Sequence, residues 1–147
     1  MFRFRLSRLL SLKISHEQLL KIQLNALRNQ IKDIETDLKG FEEQLRSLDL
    51  KTLSRSTRGV TGFELSQLLT YREILWREIE SLKSKLDQLR KQEDALRDQY
   101  LEARKERKIL QNLRERRFKA YAFEQDRLHR LYLDEIAIRK FTSSQQN

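Results

Sequence analysis

The groups of this 147-residue sequence that could carry acid–base or metal chemistry are two histidines and a set of carboxylates. His16 and His129 are far apart in the chain, and neither has a serine or cysteine in a triad-like arrangement. The sequence has no cysteine, which excludes disulfides and cysteine-based metal sites. It also has no glycine-rich phosphate loop. We therefore expect a protein that is not an enzyme and has neither a metal nor a cofactor.

The chemistry that this sequence favours is electrostatic attachment, because cations are in excess. Lys and Arg number 31 against 22 Asp and Glu, a formal net charge of +9. Residues 1–15 contain four cations and no acid, and residues 101–119 contain eight cations and three acids. A basic surface fits an acidic protein pore, nucleic acid or an anionic membrane surface, whereas a solvated helix face needs no partner. The sequence lacks a DNA-binding motif and arginines interleaved with stacking aromatics, which disfavours nucleic acid.

The elements that position these side chains are predicted to be α-helices. No proline and only three glycines occur, too few for the turns of a sheet. Hydrophobic residues make up 38% of the chain and charged residues 36%, which supplies a narrow apolar seam and not a thick core. We therefore expect an all-α fold with long helices.

Apolar residues recur at alternating spacings of four and three in two runs, the pattern of a coiled-coil seam. The first run extends from Leu20 to Leu48 and the second from Leu65 to Ala103, with Arg72 and Glu93 as charged intrusions in the second. Serine, threonine and glycine accumulate between the runs, which predicts a loop. The expected organisation is one domain over 1–147, with helix 1 at about 3–50, the loop at 51–62, helix 2 at about 63–141 and a tail at 142–147.

The two seams predict a long antiparallel two-helix coiled-coil hairpin with a C-terminal helix overhang. A turn near residue 57 pairs positions whose numbers add to about 114, such as 27 and 86. Helix 2 then has no partner after about residue 111. An unpartnered apolar stripe marks an interaction surface. Its apolar residues are Phe118, Tyr121, Phe123, Leu128, Leu131, Tyr132, Ile136 and Ile138.

The sequence predicts no membrane insertion, because no apolar run approaches the roughly 20 residues that cross a bilayer. The composition of residues 1–15 also fits a mitochondrial transit peptide. However, Leu6, Leu9 and Leu10 lead into the next segment with helical spacing, which favours the first turns of helix 1. The absence of cysteine fits a reducing, cytosol-like compartment.

Four segments, in this order along the chain, resemble the FliJ family of flagellar export proteins. They are 2–10, with the sequence FRFRLSRLL, 68–79, with LLTYREILWREI, 102–117, with EARKERKILQNLRERR, and 133–137, with LDEIA. Each segment is similar to many coiled coils, whereas their order and spacing over nearly the whole chain are typical of the family.

The resemblance implies a cytoplasmic component of the type III protein export apparatus, peripheral to the cell membrane at the flagellar base. Family members are two-helix proteins similar to the gamma stalk of rotary ATPases, and they belong to flagellum biogenesis, protein transport and chemotaxis. Such a stalk enters the pore of the export ATPase hexamer, promotes its assembly and activity, and contacts the export gate membrane protein. Some members also bind export chaperones.

Two sets of residues are the candidate contact sites. Tyr71 and Leu75 match family positions that are associated with gate contact, while Trp76 beside them fits no family pattern. The basic residues expected to dock in the ATPase ring are Arg3, Arg5, Arg8, Arg104, Arg107, Lys108, Arg114 and Arg117. Two alternative functions are a self-associating structural coiled coil and a basic rod that binds nucleic acid or an anionic surface.

Overall fold

The computed structural model describes residues 1–145 and contains two helices. Helix α1 spans Ser7–Arg58 and helix α2 spans Gly62–Gln145. The described residues contain no strand. The two helices pack against each other in antiparallel directions, as the cross-helix pair of Arg72 with Asp49 and that of Arg28 with Glu93 show. This confirms the prediction of an all-α two-helix hairpin.

The loop is much shorter than predicted, because residues 51–58 continue helix α1. Their hydroxyl groups bond within the helix: Thr52 Oγ1 donates to the Leu48 carbonyl oxygen, and Thr57 Oγ1 to that of Ser54, both at 2.8 Å. Such bonds let serine and threonine remain helical where their composition predicts a break. The helix ends at Gly59, whose φ of 87° is in the left-handed region that favours glycine.

The start of α1 and the end of α2 also differ from the predicted ones, whereas α2 begins at Gly62, next to the predicted start at about 63. Helix α1 begins at Ser7, after a non-helical segment, and not at residue 3. Thr61 caps α2, since the Glu64 backbone N–H donates to its Oγ1 at 3.3 Å. Helix α2 continues to Gln145, so most of the predicted tail at 142–147 is helical and only residues 146 and 147 lie outside the described part of the chain.

The structure divides into two compact units, and both helices contribute to each. The terminal unit consists of Met1–Glu17 and Glu102–Asn147, and the loop unit of Gln18–Leu101. The prediction of a single domain remains a prediction.

The core of the loop unit is the predicted seam. All nine apolar positions of the first run, from Leu20 to Leu48, are buried or half-buried. Ile31 and Ile34 of α1 form a buried cluster with Leu86 of α2. Partly buried residues pack against this cluster: Leu27, Leu38, Leu82 and Leu89. The heptad pattern therefore predicted correctly which face of α1 is covered.

The register of the hairpin is one heptad away from the predicted one. Arg72 Nε donates to Asp49 Oδ1, and Arg28 Nε donates to Glu93 Oε1, both at 2.7 Å, and the numbers of each pair add to 121 instead of about 114. A seam that repeats every seven residues looks the same after a shift of seven, so apolar periodicity alone cannot select the register. The late end of α1 shifts the turn, and the pairing with it.

Candidate docking surfaces

The terminal unit carries nearly all the excess charge. Its two segments contain 16 cations and 8 acids, a net charge of +8, whereas the loop unit contains 15 cations and 14 acids, a net charge of +1. The terminal unit also contains all eight residues of the predicted ring-docking set. The structure thus assembles the two basic segments, 1–15 and 101–119, in one compact unit.

Arg107 differs from the rest of this set, because it is an ion-pair partner inside the hairpin. Its guanidinium donates to the Glu17 carboxylate across the helix pair, and both side chains are largely covered, with 21% and 13% exposed. Lys13 makes a similar cross-helix pair with Glu106. The hydrogen bond from Lys13 lowers the pKa of the Glu106 carboxyl below its ordinary value. We therefore assign Arg107 to holding the helices together and not to contacting a partner.

The remaining members of the set are exposed, and within residues 1–145 none of them has a carboxylate oxygen within 4.0 Å. Two further exposed cations of α2, Arg116 and Lys119, share this property, although the predicted set omits them. The sequence could have indicated these two cations, because they belong to the same basic segment, 101–119. The unpaired basic surface consists of Arg3, Arg5, Arg8, Arg104, Lys108, Arg114, Arg116, Arg117 and Lys119.

An N-terminal segment brings its arginines to this surface. Residues 1–6 precede the helix, and the Ser7 backbone N–H donates to the Phe4 carbonyl oxygen at 3.1 Å. The Phe4 side chain is buried. The ring of Phe2 meets Phe118 edge-on at a centroid distance of 5.4 Å and Tyr121 at 5.7 Å. Arg3 and Arg5 are therefore held next to the basic run of α2.

These aromatic contacts also correct where the overhang begins. Phe118 and Tyr121 were expected to be unpartnered, but both contact Phe2. The reason is the register, which extends the pairing of α2 by about one heptad. After Tyr121, every described residue up to Gln145 is exposed except the half-buried Ile136. We use the term overhang for residues 122–145.

The apolar residues of the overhang surround the helix and do not form the predicted stripe. At 3.6 residues per turn, Leu131 and Leu133 point about 200° apart, and Tyr132 and Phe141 about 180° apart. The large exposed apolar side chains are Phe123, Leu128, Leu131, Tyr132, Leu133, Ile138 and Phe141. Its charges balance, with four cations and four acids, and three ion pairs form within the helix. The overhang is a neutral helix with apolar surface on several sides.

A second exposed apolar surface lies near the turn of the loop unit. Large exposed hydrophobic side chains occur at Leu50 and Leu53 in α1 and between Phe63 and Trp76 in α2. The structure separates the two predicted gate-contact residues: Tyr71 is 49% exposed, whereas Leu75 is 3% exposed and packs in the seam. Tyr71 lines a shallow groove of about 490 Å³ together with Gly40, Glu43, Gln44, Ser47, Leu48 and Lys51. Leu75 has almost no surface left for a partner in this conformation.

A family model described as "Flagellar FliJ protein" matches residues 1–146, nearly the entire chain. The chain belongs to the FliJ family. This confirms the resemblance seen in the sequence. No curated protein and no solved structure gave a significant match. As a FliJ-family member, the protein is a component of the flagellar export apparatus, and the family is structural and not enzymatic.

The apolar residues of this FliJ-family chain form no membrane span within residues 1–145. Within residues 1–145, neither helix contains a stretch that is sufficiently long and apolar to pass through a bilayer. Its exposed apolar residues are instead spread over the overhang and the turn region. Exposed apolar surfaces of this kind are typical of sites that contact other proteins or a membrane surface.

Proposed function

We propose that this protein is the stalk of the export ATPase. The overhang enters the central pore of the ATPase hexamer and promotes its assembly and activity, while the turn region of the loop unit contacts the export gate membrane protein. The protein would act at the cytoplasmic side of the cell membrane, at the flagellar base. It would also be available to export chaperones, as some family members are. The observation that carries the proposal is the overhang, a helix with apolar surface on several sides and no partner within residues 1–145.

A pore is the kind of partner that such a helix requires. Residues 122–145 form a helix of about 36 Å. A helix with apolar residues all round is stable when it is surrounded, whereas a helix with a single stripe needs only one neighbour. Most helical stability in proteins comes from packing against a partner, which the overhang lacks within residues 1–145. A ring of subunits can cover Tyr132 and Phe141 at the same time, although they point in opposite directions.

The unpaired basic surface would attract the ring before the overhang is inserted. Exposed ion pairs each contribute only about 0–1 kcal/mol, so most of the affinity must come from burying the overhang. Long-range attraction mainly raises the association rate, and salt reduces it as the Debye length falls from about 10 Å at 0.1 M to 3 Å at 1 M. The pore entrance is therefore expected to be acidic.

Replacing Arg104, Lys108 and Arg114 together by glutamine is expected to slow association with the ATPase ring about tenfold at low salt. Arg107 is left in place because its loss would disturb the hairpin. Stopped-flow binding at several salt concentrations measures the effect, and ATPase stimulation should fall in parallel. The matched control replaces three cations that are paired within α2 of the loop unit, Arg77, Lys83 and Arg97. Equal association rates for the two triple variants at low salt would refute a role for the basic surface.

Tyr71 tests the contact with the export gate. Because the side chain is half exposed and outside the seam, Tyr71→Ala should leave helicity unchanged and weaken binding to the soluble part of the gate protein about tenfold. Ile22→Ala, which removes an exposed apolar side chain of the loop unit away from the turn, is the matched control and should leave gate binding unchanged. Calorimetry or surface plasmon resonance measures both. Unchanged gate binding by Tyr71→Ala means that the gate contact lies elsewhere.

A self-associating structural coiled coil is the alternative that the exposed overhang also permits. It predicts a stable dimer at micromolar concentration, whereas a stalk should be a monomer before it meets the ring. Molar mass from light scattering distinguishes the two functions.

A further inference from the structure

Two charged residues stand in the apolar seam of α2, and each has a partner on α1. Arg72 bonds to Asp49, and Glu93 bonds to Arg28, each at 2.7 Å. The two partners on α1 are 21 residues apart, as are the two residues on α2. This common spacing of three heptads means that a single shift of α1 along α2 changes the partners of both residues together.

A second residue of the correct charge lies one heptad before each partner on α1. Glu42 is seven residues before Asp49, and Lys21 is seven residues before Arg28. Both side chains are exposed, and no ion pair within residues 1–145 involves either of them. Arg72 and Glu93 therefore each have two possible counterions at a spacing of one heptad.

We propose that the hairpin has a second register, in which α1 is displaced by one heptad towards the turn. Arg72 then pairs with Glu42, and Glu93 pairs with Lys21. In the places of Leu27 to Leu48 the seam remains apolar, with Leu27 in the place of Ile34 opposite Leu86. Lys13 and Glu17 move into the places of Leu20 and Leu24, which adds to the cost of this register. The displacement is about 10 Å, seven residues at 1.5 Å each. Sliding of one packed helix past another between discrete registers is a known form of conformational switch.

The end of α1 is suited to absorb this displacement. When α1 moves towards the turn, its last two turns, residues 52–58, must unwind to keep the connection to α2. These residues are exposed except for the half-buried Thr52. They are rich in serine and threonine, which have low helix propensity. They are thus the part of α1 that loses least when it becomes a loop.

Charge favours the slide towards the turn over the opposite one. A displacement of one heptad away from the turn would place Glu35 opposite Glu93, and Ser56 opposite Arg72. The first contact is repulsive and the second lacks a counterion, so only Arg90, which would meet Glu42, keeps a matched partner. The slide towards the turn keeps two matched pairs, and it places Arg28 opposite Arg90, whose observed partner is Glu35. The second register is therefore a specific alternative and not one member of a series of loose pairings.

The terminal unit explains why the observed register is the resting one. The slide would break the pairs of Lys13 with Glu106 and of Glu17 with Arg107, and it would withdraw Phe2 from Phe118. These contacts have no equivalent after the slide. A partner that displaces Phe2 from α2 would therefore raise the population of the second register, since it removes contacts that only the first one has.

Engineered disulfides test the two registers, because the chain contains no cysteine of its own. All three double variants share Leu86→Cys. Ile34→Cys reports the resting register, Leu27→Cys the slid register, and Phe41→Cys, displaced equally in the other direction, is the matched control. In the resting register, residue 27 and residue 41 are each displaced from residue 86 by about one heptad along the helix axis. This distance exceeds the 4.4–6.8 Å between Cα atoms that a disulfide needs. Circular dichroism verifies that each variant folds.

Under mild oxidation we expect the pair at 34 and 86 to form fastest. The pair at 27 and 86 should form about threefold faster than the pair at 41 and 86, because its register has two matched charge pairs and the other register has one. Adding Glu42→Gln and Lys21→Gln should slow the pair at 27 and 86 about fivefold and leave the pair at 34 and 86 unchanged. Equal rates of disulfide formation for the pair at 27 and 86 and the pair at 41 and 86 would overturn the proposal. So would a rate for the pair at 27 and 86 that the two glutamine substitutions leave unchanged.

Discussion

Replacing Leu75 by alanine is expected to lower the free energy of unfolding by about 2–4 kcal/mol, the largest effect of any single substitution near the turn. The side chain is 3% exposed and sits in the seam between the helices, so its removal leaves a cavity that two straight helices cannot close. Urea denaturation followed by circular dichroism measures the change. Gate binding should decrease only in proportion to the fraction of protein that is unfolded.

Tyr71→Ala provides the comparison for Leu75→Ala, because the two residues lie one helical turn apart. Tyr71 is 49% exposed, and its loss should cost less than about 1 kcal/mol of stability. A similar loss of stability in both variants would show that Tyr71 also supports the seam. In that case its effect on gate binding could not be assigned to a direct contact.

A chain that ends at Tyr121 is expected to bind the ATPase ring at least about 100-fold more weakly than the full chain. It lacks the overhang, and burial of only two or three of the missing apolar side chains, at about 1.5–3 kcal/mol each, accounts for that factor. The hairpin should still fold, because the deletion leaves the contacts of Phe2 with Phe118 and Tyr121 in place. Ring binding and ATPase stimulation are the measurements.

The control for this deletion is a chain that ends at Phe141, which keeps all the large apolar residues of the overhang. It should bind the ring nearly as well as the full chain. If the chain that ends at Tyr121 retains full ring binding, the overhang is not the inserted element. If instead the deletion converts a stable dimer into a monomer, the overhang serves self-association.

The heptad pattern was sufficient to predict the fold and the buried face of α1. The positions from Leu20 to Leu48 were identified by spacing alone, and all are covered by α2. The pattern could not predict the register, because a repeat of seven is unchanged by a shift of seven. The contacts that favour the observed register are particular ones, such as Glu17 with Arg107 and Phe2 with Phe118.

The composition of the candidate docking surfaces could be predicted from the sequence, whereas the contacts of their individual residues could not. Charge counts located the basic surface correctly, since basic residues stay near the surface wherever the helices place them. They could not show that Arg107 is paired, because its partner Glu17 lies 90 residues away and is identified only by the register. The overhang was predicted from the unequal helix lengths. The first residue of the overhang could not be predicted, because it depends on the position of the turn. Hydrogen bonds from hydroxyl groups to the backbone keep the end of α1 helical where a loop was expected.

The short turn at Gly59 also determines the order in which the chain can fold. The pair of Asp49 with Arg72 closes a segment of 23 residues, whereas the pair of Lys13 with Glu106 closes one of 93. The entropy lost on closing a loop grows with its length, so contacts next to the turn form first and those near the termini last. During synthesis, the apolar face of α1 has no partner until α2 has been made. The last contacts to form are those of Phe2, which means that the basic surface is completed only after the rest of the hairpin has closed.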